Sequence, residues 1–185
     1  MKLKLTLMLV FMMCVPVLVH AEDANAHRPF EIGWNVLSYS RQGSIDLYGG
    51  DLSFTAYPSQ KIGIVADVAI HAATVNSLDL TSTTYRFGPK FVFKHGSRVR
   101  SFGEVLVGGT HLNGSASITS GGTTTTQSES ISGFAMAVGG GLDVGIRPWI
   151  AIRVAQVDYS YLHISGGSSN GVRIGGGLVF RFGSH

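Results

Sequence analysis

From Phe30 onward the chain is built of short segments in which every second residue is apolar, and the residues between are mostly charged, polar or very small. Period two is the repeat of a β-strand, whose side chains alternate between the two faces of a sheet. Eight such segments follow one another. FEIGWNVLSY sets Phe30, Ile32, Trp34 and Val36 against Glu31, Gly33 and Asn35, and GDLSFTAY sets Leu52, Phe54 and Ala56 against Asp51, Ser53 and Thr55. IGIVADVAIH opposes Ile62, Ile64, Ala66, Val68 and Ile70 to Gly63, Asp67 and His71. TYRFGPKFVFK opposes Tyr85, Phe87, Phe91 and Phe93 to Arg86, Gly88, Lys90 and Lys94. VRSFGEVLVGG turns Glu104 away from Val105 and Val107, and GFAMAVGGGLDVG turns Gly139, Gly141 and Asp143 away from Val138, Leu142 and Val144. IAIRVAQVDYSY and GVRIGGGLVFRFG complete the set, with Arg153, Arg173 and Arg181 on their polar faces. Each segment is about the ~9–11 residues a tilted strand needs to cross a bilayer. No helical period competes with this pattern beyond the first residues.

Those first residues read as a secretory signal, 1–21. Lys2 and Lys4 precede the apolar stretch Leu5 to Val19, and Val19-His20-Ala21 offers small residues at a cleavage site. A membrane helix needs ~20 apolar residues, and this run is shorter and holds Pro16. Residues 22–28 then form a short N-terminal segment and 29–183 the folded domain. The one cysteine, Cys14, lies within the signal, so no disulfide is expected. Without Lys2 and Lys4 the 14 basic residues become 12 against 11 acidic ones, too even a balance for nucleic acid.

The connections alternate in length. SRQGSIDLYGG, AATVNSLDLTS, HLNGSASITSGGTTTTQSES and LHISGGSSNG are long; Pro58-Ser59-Gln60, His95-Gly96-Ser97-Arg98 and Arg147-Pro148 are short. A meander with this alternation places every long loop at one end. Glycine and alanine space the charged face, as a narrow interior filled by long side chains requires. Aromatics gather near strand ends: Tyr57, Phe91, Phe93, Trp149, Tyr159, Tyr161, Phe180 and Phe182. Together these features point to an all-β fold, an eight-stranded antiparallel up-and-down transmembrane β-barrel with short periplasmic turns and long extracellular loops. Pro89 calls for a bulge or an early strand end, since it removes a ladder hydrogen bond. Arg153 and Asp158 have opposite parity and share the interior only if a bulge separates them.

The order of elements and the ending VRIGGGLVFRFG resemble the small eight-stranded outer-membrane barrels, the class that includes the transmembrane domain of outer membrane protein A. FGPKFVF, FGEVLVGGTHL, GGGLDVG and IAIRVAQVDY are similar to the outer-membrane β-barrel proteins of Acidobacteria. The resemblance implies residence in the cell outer membrane of a Gram-negative envelope after signal cleavage. It also implies contact with membrane lipid and lipopolysaccharide, and insertion by the barrel-assembly machinery. Leu178, Phe180 and Phe182, on one face, resemble the signal that this machinery reads.

The expected interior set is Glu31, Asp51, Asp67, Glu104 and Asp143 with Arg86, Lys90, Lys94, Arg153, Arg173 and Arg181. Read structurally it is a paired network that plugs the bore; read functionally it is the selectivity ring of a narrow pore. Geometry favours the plug, because eight strands leave little open bore. The two GGG runs would need a following helix to hold phosphate, and strand follows instead. His71, His111 and His163 all fall near one mouth without the spacing of a metal site. His163-Ile164-Ser165 resembles the His-x-Ser of the lipid A deacylases, in which His activates Ser, although that motif continues with Asn where this chain has Gly166. The expectation is therefore a monomeric, non-enzymatic barrel without cofactor or metal, structural or surface-interacting, whose Ser/Thr-rich loop 111–132 is open to an extracellular ligand. A lipid A ester hydrolase is the alternative from another class.

Overall fold

The computed structural model describes residues 28–75, 78–95, 98–120 and 123–183. The secretory-signal reading and nearly all of segment 22–28 lie outside these residues. The strands are β1 (Phe30–Gln42), β2 (Ile45–Ala56), β3 (Ile62–Val75), β4 (Leu78–His95), β5 (Val99–Ser120), β6 (Thr123–Arg147), β7 (Ile150–Ile164) and β8 (Gly167–Phe182). Each pairs antiparallel with its sequence neighbours, and β8 returns to β1, closing a barrel. Closure is what lets a sheet cross lipid, because no edge of unpaired N–H and C=O groups remains within the wall.

The distribution of side chains is that of a soluble protein turned inside out. Glu31, Asp67, Lys90, Asp143, Arg153 and Asp158 are buried, while Trp34, Ile64, Val68, Phe87, Val138 and Ile174 are exposed on the outer wall. A water-soluble barrel would bury the second group and expose the first. The chain is an eight-stranded transmembrane barrel.

Four one-residue slips adjust the alternation among the described residues. On β1 the register shifts between Asn35 and Ser38, so Val36 and Leu37 both face outward and Ser38 faces in. On β7 the shift between Arg153 and Gln156 inserts one extra residue and brings Arg153 and Asp158 onto the same inner face. On β4 it falls between Val92 and Lys94, and on β6 between Gly145 and Arg147. Pro89 produces neither a bulge nor a strand end. β4 continues through it, and pairing to β5 lapses at Gly88 and Pro89 but resumes in the same register at Lys90↔Glu104. A missing donor can be absorbed as a local gap when closely paired strands on both sides hold the register.

The described residues of the long connections mostly continue the strand ladder. β1 and β2 are joined by Gly43-Ser44, with Gly43 at φ +59°, and β7 and β8 by Ser165-Gly166. β5 and β6 pair without a break from Val99↔Val144 to Ser120↔Thr123. Threonine, serine and isoleucine suit an extended backbone, so a register set in the wall propagates outward with nothing to stop it. β7 stops pairing with β6 at Ile164↔Gly133, so Thr123 to Ser132 are paired on one side only.

Candidate functional site: the charged interior and the hairpin end

Strand register brings the interior charges face to face. Glu31 lies opposite Arg181, Asp67 opposite Arg86, Glu104 opposite Lys90, Arg100 and Arg153 on either side of Asp143, and Asp158 opposite Arg173. Opposite signs directly across neighbouring strands stabilise a sheet. The contacts then go further than neighbours, across the bore.

One cluster surrounds Glu31, whose side chain is 1% exposed. Its Oε1 accepts from Lys90 Nζ at 2.8 Å and Arg153 Nη2 at 3.4 Å, and its Oε2 from Arg100 Nη1 at 3.0 Å and Arg181 Nε at 3.3 Å. Asp143 completes it by accepting from Arg153 Nε at 2.9 Å and Arg181 Nη2 at 3.2 Å. Phe102 and Tyr57 supply aromatic faces beneath these cations: Lys90 Nζ lies 4.0 Å and Arg153 Cζ 4.6 Å from the Phe102 centroid, and Arg100 Cζ 4.4 Å from that of Tyr57. Such contacts matter most where the cation has lost its water.

A second cluster surrounds Arg173. Its Nη1 donates to Asp67 Oδ1 at 3.1 Å, while its Nε and Nη2 grip Asp158 Oδ2 at 2.9 and 2.7 Å. Asp51 stands 3.5 Å away, and Arg86 Nη2 donates to Asp67 at 2.6 Å. Gln156 joins the two clusters. Its Oε1 accepts from Arg153 and Asn35, both at 3.0 Å, and its Nε2 donates to Glu104 at 2.8 Å and Asp158 at 3.1 Å.

The structure thus brings together ten of the eleven residues expected in the interior: Glu31, Asp51, Asp67, Arg86, Lys90, Glu104, Asp143, Arg153, Arg173 and Arg181. The side chain of Lys94, the eleventh, lies outside the described residues. Arg100, Asp158, Gln156 and Asn35 join the network. Arg100 shares parity with Glu104, which was signal enough to find it. Tyr57, expected in the interfacial belt, is buried against Arg100 instead. Phe93, Trp149 and Tyr159 do face outward.

The remaining candidates do not converge. His71 faces the bore and shares a hydrogen bond with Ser38 Oγ at 2.9 Å, His111 pairs with Ser132 Oγ at 2.8 Å, and His163 is exposed. Among the described residues no group of three metal-ligating side chains comes together. His163 is the last residue but one of β7 and Ser165 lies in the following turn, both exposed and with no hydrogen bond between them among the described residues. Leu178, Phe180 and Phe182 share the outward face of β8, with Phe182 stacked on Phe30 at 5.8 Å across the closing seam.

A closed meander of eight antiparallel strands, charged within and apolar without, defines the class of small outer-membrane β-barrels. No family model and no curated protein matches the chain. Solved structures do. Ail, the attachment invasion locus protein of Yersinia pestis, is 20% identical, with 82% of this chain and 96% of that one covered and a TM-score of 0.52. Neisserial surface protein A is 14% identical over 87% and 100%, with a TM-score of 0.61. The outer membrane protein OprG of Pseudomonas aeruginosa is 12% identical over 88% and 100%, at 0.54. At these identities the likeness is one of fold.

Proposed function

We propose that the protein is a resident of a bacterial outer membrane whose barrel is a plugged scaffold, and whose extended hairpins meet partners outside the cell. The observation that carries the plug is a contact across the whole bore. Glu31 on β1 bonds Arg100 on β5, the strand diametrically opposite in a ring of eight, and their side chains are 1% and 11% exposed. A bore spanned by bonded side chains has little room left for a stream of ions. Purified protein in a planar bilayer is expected to show no steady channel, at most small and rare openings. Large, long-lived conductance would replace this reading with that of a narrow pore.

The hairpin end supports the surface role. β6 from Thr123 to Ser132 offers a row of backbone donors and acceptors on its unpaired side, the form in which sheets take up a further strand. Removing residues 114–131 and joining the shortened arms is expected to leave the barrel folded, with its heat-dependent shift on gels intact, while cell-surface binding falls at least tenfold. Loss of the gel shift would show instead that the hairpin holds the barrel together.

A further inference from the structure

Two of the bulges lie side by side in the outer wall. Leu37 stands out from β1 at 79% exposure, and Val154 from β7 at 60%. Between them runs β8, where Gly176 faces outward opposite both slips. Glycine also follows the β1 bulge on its other side, at Gly49 and Gly50 of β2. With tall side chains around a floor of bare backbone, the wall forms a recess of about 420 Å³ edged by Leu37, Tyr39, Tyr48, Val154 and Ile174. That size is within the range of small-ligand sites, ~300–1,000 Å³.

We propose that this recess is a binding site for one acyl chain of an anionic lipid in the leaflet nearer the hairpins. It opens on the apolar band, beside Trp34 and Ile174, so hydrocarbon is what the membrane presents to it. Toward the hairpin end its character changes within one turn of side chains. Tyr39 and Tyr48 lie 5.4 Å apart, the Tyr39 hydroxyl donates to Asp46, and Arg41 follows on the same face with its side chain 60% exposed. Asp46 lies 3.6 Å from Arg41 and holds it at the rim. The Arg41–Asp46 pair is long and exposed, hence weak, so a phosphate can take the place of Asp46 on the guanidinium, and an apolar slot topped by tyrosines and Arg41 matches an amphiphile with a phosphate at its head. The bulges thereby gain a second purpose: they set the interior parity and also hollow the exterior. Gly176, which the alternation leaves as a gap between Ile174 and Leu178, becomes the floor of the site.

The leaflet assignment rests on the hairpins being extracellular; the site itself does not depend on the plug. The test is native mass spectrometry of protein reconstituted with phosphatidylglycerol and then washed stepwise in detergent. One retained lipid per barrel is expected. Gly176→Leu fills the recess; a Cβ there would lie 3.3 Å from the Arg153 carbonyl oxygen, a close contact that the backbone must relieve by a small shift, so the heat-dependent gel shift of the variant is checked before its lipid is counted. That variant should retain at least tenfold less lipid, Leu37→Ala a few-fold less, and Val107→Leu, exposed on β5 across the barrel from β1, as much as the parent. Arg41→Ala should lose the preference for phosphatidylglycerol over phosphatidylcholine. Absence of retained lipid, equal retention in Gly176→Leu, or a dimer that Leu37→Ala dissolves would each overturn the proposal. A barrel that conducts yet keeps its lipid overturns the plug and leaves the site standing.

Discussion

Glu31→Leu should cost about 3–5 kcal/mol of barrel stability, the usual penalty for removing one partner of a buried ionic cluster. Four cations, Lys90, Arg100, Arg153 and Arg181, converge on this one carboxylate. Asp143 remains as a partner for only two of them. Without Glu31, Lys90 and Arg100 are left against aromatic faces, with no other carboxylate among the described residues bonded to them. Guanidinium unfolding in lipid vesicles, followed through Trp34 and Trp149, measures the loss. The exposed pair Arg41–Asp46 provides the contrast: Asp46→Ala should change stability by less than ~1 kcal/mol. A loss below 1 kcal/mol for Glu31→Leu would mean that the bore holds enough water to solvate the cations, and the plug would fall with it.

Gly139→Val should have a comparable effect for a steric reason. Gly139 sits on the inner face of β6 opposite Asp158 of β7, and a Cβ there would overlap the Asp158 carboxylate, its Cα and the Val157 carbonyl. Two of those obstacles belong to backbone, so no rotamer change relieves them. Overpacking typically costs ~1–3 kcal/mol. Displacing the Asp158 carboxylate also breaks its double contact with Arg173, so about 4 kcal/mol in all is expected. On a gel the variant should fail to show the folded, faster-moving band. Gly114→Ala, where the nearest atom would lie 3.4 Å away, should be silent. Normal folding of Gly139→Val would show that β6 and β7 can separate without losing the ion pair.

The faces of the strands were legible because a two-residue period leaves no choice once one face is apolar: Glu31, Asp67, Glu104 and Arg173 follow directly from their neighbours. Slips were harder. A single extra residue reverses the parity of everything after it, yet its local trace is only a pair of adjacent apolar residues, Val36-Leu37 or Val154-Ala155, that also occur in regular strands. Asp158 was therefore conditional on a bulge that the sequence does not mark. Tyr57 misled because an aromatic ring at a strand end serves equally well beneath an arginine or among lipid headgroups. In the long connections the extended backbone was not legible. Polar Thr-, Ser- and Gly-rich sequence signals a lack of hydrophobic drive, not a lack of extended structure, and here the wall below supplies the register.

The closing seam has a consequence for assembly. Phe30 pairs with Phe182 and Glu31 bonds Arg181 across a separation of 150 residues, whereas every other strand pair joins strands that follow one another in sequence. Seven hairpin contacts can form as the chain emerges, but the eighth waits for the last strand and carries the whole loop-closure cost at once. Until then β1 and the most recent strand are open edges that lipid cannot satisfy. A chain cut before β8 should therefore stall at the membrane surface as an unclosed ribbon, since neither end of the curl has anything to zip against.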